Sequence, residues 1–135
     1  MVEIHNKELL SSRFGGHWPS FHDAEIISMR LERAGEDTPY LEVDIHVFEM
    51  TKEIDAKGYY VLKNHTRVTF RFCEISLEHL KWFNHQNVLS DLIIQESNRT
   101  DKEHPIEVVM PSSYGCEVKL ECERIKIVSA TSYES

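Results

Sequence analysis

The sequence predicts a mostly β domain: an antiparallel curved sheet or a sandwich-like pair of sheets, with one short N-terminal helix. Three observations carry this expectation. Runs in which apolar and polar residues alternate recur along the chain. Short polar clusters rich in Gly, Pro, Asn and Ser separate them. Only one early stretch has a helical start and stop.

That stretch is 6–14, with Asn6 as the expected N-cap and Gly15 and Gly16 ending the helix. Pro19 disfavours helix at Trp18 and sets an extended entry to the first long strand. Residues 23–33 have period two, with Ile27, Met29 and Leu31 on one face and Ser28, Arg30 and Glu32 on the other. A turn cluster at 34–39 leads into 40–50. There Leu41, Val43, Ile45 and Val47 oppose Glu42, Asp44 and His46. The two runs read as a long antiparallel hairpin with one wet face.

A charged connection at 51–58 precedes a strand at 66–74 that buries Val68, Phe70 and Phe72. Residues 75–83 fit either a short helix capped by Ser76, presenting Leu77, Leu80 and Phe83, or a strand. The strand-like or irregular reading is preferred because Asn84 and Asn87 frame a turn. Residues 88–96 and 106–110 read as strands, with polar punctuation at 97–105 and a turn at 111–115. From 116 onward Cys116, Val118, Leu120 and Cys122 alternate with Glu117, Lys119, Glu121 and Glu123. Arg124 and Lys126 then take the parity that was inside, so a bulge or turn is expected near Glu123. The total is seven or eight strands.

A chain of 135 residues suits a single domain, 1–135. Its 23 acids against 15 Lys and Arg give a net charge of −8, the wrong sign for a phosphate-binding surface. Nucleic acid is therefore not expected as a partner, and a basic protein is. Three cysteines without CxxC spacing fit neither a disulfide framework nor a structural zinc site. No apolar run reaches membrane length and no secretory pattern opens the chain, so no membrane is expected and a cytoplasmic location is. Long edge strands would permit a dimer. The match to a glycosylation acceptor at 98–100 carries nothing without secretion.

Trp18, Pro19, Ser20, Phe21, His22 and Asp23 form the densest cluster of chemistry-bearing residues. His22 beside Asp23 suggests a general base, and a small hydrolase or metal-dependent enzyme is the function that such a base implies. Neighbours on a strand point to opposite faces, however, so Asp23 is badly placed to orient His22. The preferred reading is structural: Trp18 and Phe21 pack inward, Pro19 fixes the corner, and Ser20 or Asp23 bonds nearby backbone. The eight histidines are scattered without ligand spacing, so no metal or other cofactor is expected. There is no nucleophile elbow, and the cysteines sit where small buried residues belong. A small-ligand-binding β domain is a further alternative.

What remains is electrostatic. Glu42, Asp44 and His46 share a face with Phe48, while Glu117, Glu121 and Glu123 share the outward face of a late strand. If those strands rim one side, they make an acidic field with aromatic anchors. Such a surface suits a basic protein partner.

Three segments also resemble a known family. WPSFHDAEI (18–26), FNHQNVLSDLII (83–94) and SSYGCEVKLECERIKIVS (112–129) are similar to the immunity protein 50 family, and they stand in family order. WPSFHDAE is the most specific of them. The resemblance implies a small, mostly β, non-enzymatic and cytoplasmic protein that binds and neutralises a cognate toxin domain of a bacterial polymorphic toxin system. The expected contact residues remain Glu42, Asp44, His46 and Phe48, with Glu117 and Glu121 secondary.

Overall fold

A computed structural model describes residues 2–98 and 103–133. Among the described residues strands hold 58% and helix 5%, so the fold is mostly β, and those residues form two sheets and no closed barrel. In chain order the first strands are β1 (Ile4–His5), β2 (Glu25–Glu32), β3 (Tyr40–Ile54), β4 (Tyr60–Cys73) and β5 (Ser76–Lys81). Next come β6 (Val88–Leu89), β7 (Ile93–Glu96), β8 (Ile106–Met110), β9 (Ser112–Tyr114), β10 (Glu117–Cys122) and β11 (Arg124–Ser132). The larger sheet has the order β1-β11-β4-β3-β2-β6-β9 and the smaller β5-β10-β8-β7. All pairings are antiparallel except β1 with β11.

The inner faces meet in one core. Leu41, Val43, Ile45, Val47, Val68, Phe70, Phe72, Ile125 and Ile127 come from the larger sheet, and Val108, Met110, Val118, Leu120 and Cys122 from the smaller. Each large aliphatic or aromatic side chain so buried contributes about 1.5–3 kcal/mol. Leu10, Phe14 and Phe21 join this core from the N-terminal segment.

Several sequence expectations shift in detail. The helix α1 covers only Glu8–Ser11 and runs into a 3-10 turn at Ser12–Phe14, with Lys7 at the N-cap position. Asn6 instead sits at φ 62 and donates through Nδ2 to the Ile127 carbonyl, tying the N-terminus to β11. Gly15 does end this segment, at φ 65 in the left-handed region. In β2 a bulge between Ile26 and Ser28 resets the parity. Ile26 is therefore the buried residue, Ile27 is only half-buried, and Leu31 is exposed.

The first half of the charged connection at 51–58 is strand, since β3 runs to Ile54 before a tight turn at residues 55–58. Residues 75–83 do contain a strand, β5. The run 88–96 is split between the sheets, as β6 and β7, and part of the expected turn at 111–115 is the short strand β9. The described residues hold eleven strands rather than seven or eight. At Glu123 the chain crosses from the smaller sheet to the larger. Cys122 faces inward before the crossing and Ile125 after it, which turns Arg124 and Lys126 outward. Residues 99–102, which include part of the 98–100 glycosylation match, lie outside the described residues.

Candidate functional site

The outer face of the larger sheet is built by register. Glu42 lies opposite Arg71, Asp44 opposite Thr69 and His46 opposite Arg67, and cross-strand neighbours on one face touch. Arg67 donates to Asp44 from Nη2 at 2.6 Å and from Nε at 2.9 Å. The Thr69 hydroxyl donates to the other Asp44 oxygen at 2.7 Å. Arg71 bonds Glu42 at 2.9 Å and stacks over the Tyr40 ring at 4.3 Å.

Arg71 also reaches Asp37, in the turn before β3, at 3.1 Å. Asp37 is nearly buried, at φ 67, and gathers Arg124 and Lys126 as well, the latter at 2.5 Å. The hydrogen bond from Lys126 holds the Asp37 carboxyl well below the usual carboxylate range. Burial opposes that shift, and Arg124 and Arg71 reinforce it. Glu42 and Asp44 are thus each matched by an arginine.

Towards the far end of β3 the face becomes aromatic. His46 Nε2 and His65 Nδ1 are 2.9 Å apart, so one ring donates, the other accepts, and at most one is charged. Burial, and then the charge of His65, push the His46 pKa below its ordinary 6.5. Tyr133 packs 4.7 Å from His46, and Phe48 lies 5.6 Å from His46 and 5.9 Å from His65. Beside them is a cleft of about 520 Å³ whose lining includes Glu25, His46, Phe83, His85 and Tyr133.

Glu117 and Glu121 stand on β10 in the smaller sheet, so they do not share a sheet with Glu42 and Asp44. Glu117 lies 3.3 Å from His79 and 3.7 Å from Lys81. Glu121 accepts from the Ser97 hydroxyl at 2.5 Å and Glu107 from Gln95 at 2.7 Å, while Lys119 pairs with Glu78 at 3.1 Å.

The Trp-Pro-Ser-Phe-His-Asp corner is a packing device. Trp18, Phe21 and Phe70 form a ring cluster with centroids 5.8–6.1 Å apart, and Pro19 is buried. Ser20 accepts from the His22 backbone N–H at 3.2 Å. Asp23 adopts φ 68, a conformation Asp tolerates better than most residues. His22 is exposed, with Nδ1 3.1 Å from the Ser90 carbonyl oxygen and Nε2 3.7 Å from Asp23.

The three family-like segments converge here. Asp23 N–H bonds the Leu89 carbonyl, Leu89 N–H bonds Ala24, and Ile26 N–H bonds Asn87. Buried Asn87 accepts through Oδ1 from the backbone N–H of Asn84 at 2.9 Å and of Cys116 at 3.1 Å. Gly115 packs so close that a Cβ there would meet the Gln86 carbonyl oxygen at 2.3 Å.

All three cysteines are free and buried, and burial, with the nearby Cys73, pushes the Cys122 thiol up to about 12. Among the described residues no group of three or more His, Cys, Asp or Glu is arranged to hold a metal ion. No helix among them is long and apolar enough to cross a membrane.

Sequence reasoning missed Asp37, His65 and Tyr133. Asp37 sat in a turn cluster with no signal beyond its own charge. The His46–His65 contact was available only from the β3–β4 register, which places position 46 opposite 67.

With this geometry in view, comparison with known proteins gives one result. No curated protein and no solved structure matches the chain. The model of one family, Immunity protein 50, matches residues 6–133, and the chain belongs to that family.

Proposed function

We propose that this protein binds a toxin domain and neutralises it by contact, without catalysis. The observation that carries the reading is the family match over residues 6–133. The net charge of −8 supports a basic partner, drawn in by the field of the whole molecule. Glu117 and Glu121 contribute to that field from the smaller sheet. The contact itself falls on the outer face of the larger sheet at His46 and Phe48. There Glu42 and Asp44 are held by Arg71 and Arg67, and the aromatic rings supply desolvated anchor area.

The test is co-expression with the C-terminal toxin domain encoded in the neighbouring reading frame. Growth restored by this chain, and lost when the chain is omitted, supports the reading. Growth arrest that persists with the chain abundantly soluble contradicts it.

A second reading, small-ligand binding, rests on an open cleft of about 550 Å³ beside Trp18, whose apolar lining of Ile4, Leu92 and Ile94 is rimmed by Lys7, Gln95 and Glu96. A thermal-shift screen of small apolar compounds, with Trp18→Ala as the control, tests it. A shift in the wild type that the variant lacks supports it, and equal shifts or none count against it.

A further inference from the structure

We infer that the distal part of the β3–β4 hairpin, residues 49–64, is an arm that inserts apolar side chains into a recess of the toxin domain. The inference rests on the toxin-binding reading above and names the element that makes the contact. Burial in β3 stops at Val47 and in β4 begins at Thr66. The neighbouring strands stop at the same level: β2 follows β3 only to the Glu25–His46 pair, and β11 follows β4 only to Ser132–Thr66. Beyond that level the two strands of the hairpin pair with each other alone, through Glu49–Lys63, Met50–Leu62 and Ile54–Tyr60.

The arm is nevertheless well formed. Thr51 donates to the Val61 carbonyl at 2.7 Å. Asp55 Oδ1 accepts from the backbone N–H groups of Lys57 and Tyr59 at 2.9 and 3.0 Å, closing a turn in which Gly58 takes φ 87. A two-stranded ribbon is marginal by itself, and this one lends little to the core.

Its side chains are those of an interface. Met50, Ile54, Tyr59, Tyr60 and Leu62 are all exposed on one ribbon, Tyr59 most of all at 70%. Clustered exposed apolar residues of this kind mark a binding surface, and Tyr is among the residues that dominate contact energy. Phe48, His46 and His65 lie together at the root of the arm.

The charge of the whole chain, rather than that of the arm, argues for the occupant. Two copies of this chain, each at −8, repel, whereas a basic domain is attracted. On the arm Glu49, Glu53 and Asp55 are offset by Lys52, Lys57 and Lys63, so the apolar residues meet the partner without a local charge penalty.

The test measures binding of the toxin domain from the neighbouring reading frame to the wild-type chain, to Tyr59→Ala with Tyr60→Ala, and to Met50→Ser with Leu62→Ser. Leu9→Ser with Leu31→Ser, exposed apolar residues away from the arm and from the cleft beside His46, is the contrast. Thermal melting checks that each variant folds, which the arm's distance from the core favours. Each arm pair should weaken binding about 100-fold while the contrast pair changes it little.

Wild-type affinity in both arm pairs, or loss confined to the contrast pair, overturns the arm's role and leaves the toxin reading standing. So does an arm variant that only converts a dimer to a monomer. Failure of the wild-type chain to bind removes both.

Discussion

Arg67 grips Asp44 through two hydrogen bonds, at 2.6 and 2.9 Å, and Thr69 holds the other carboxylate oxygen at 2.7 Å. A residue that reads as a free acid in the sequence is thereby part of the sheet's own framework. Asp44→Ala should cost about 1 kcal/mol, because Arg67 remains partly solvated and recovers some of the loss from water. Asp44→Lys should cost more, by setting like charges side by side. Urea unfolding of both variants measures this, and an unchanged midpoint for Asp44→Lys would refute the pairing.

Asp37 is the hub of the same face. Asp37→Asn should destabilise by about 2–3 kcal/mol, since it leaves Arg71, Arg124 and Lys126 crowded without their shared carboxylate. The pH dependence comes from the lowered pKa. The unfolded chain takes up the proton first, near the ordinary value of 3.8, so the stabilisation is present above that pH and lost as pH falls below it. Chemical unfolding between about pH 3 and pH 7 should show a steeper acid loss in the wild type than in Asp37→Asn.

The pKa of His46 is lowered too, but because burial disfavours its charged form. Its folded pKa lies below the ordinary 6.5, so the folded state resists protonation that the unfolded state accepts. Stability should therefore decline as pH falls through 6.5, and His46→Phe should flatten that part of the profile. The shift at His46 can be followed directly by NMR titration of its ring protons.

Gly115 tests whether the family-like segments are structural. Gly115→Ala sets a Cβ 2.3 Å from the Gln86 carbonyl oxygen and 2.8 Å from Asn87 Oδ1, at a backbone φ of +81. Either the loop at 84–87 shifts or the left-handed turn is lost, at a cost of about 2–3 kcal/mol. Differential scanning calorimetry of the variant checks it, while His22→Ala at the exposed corner should leave melting nearly unchanged.

The legible part of this fold is the part where one face is uniformly apolar. Leu41 to Val47, Val68 to Phe72 and Cys116 to Cys122 alternate because each strand keeps one side to the core over these spans. Ile27 misled because the bulge beside it depends on β3, a partner that period two alone does not reveal. The run 88–96 hid a change of sheet, since its apolar residues occupy both parities. The candidate site was legible residue by residue but not as a surface. His46 and Phe48 were visible on their strand, whereas the arginines that neutralise Glu42 and Asp44 enter through cross-strand register. The arm read as a connection because strand pairing there carries no buried face to mark it.

The most direct test of the central claim is isothermal titration of the purified chain with its neighbouring toxin domain at low and at high salt. Toxin neutralisation by contact predicts a saturable complex of fixed stoichiometry, with weaker or slower association at high salt as the −8 field is screened. Absence of heat and of a co-eluting complex at either salt, with both proteins folded, would contradict it.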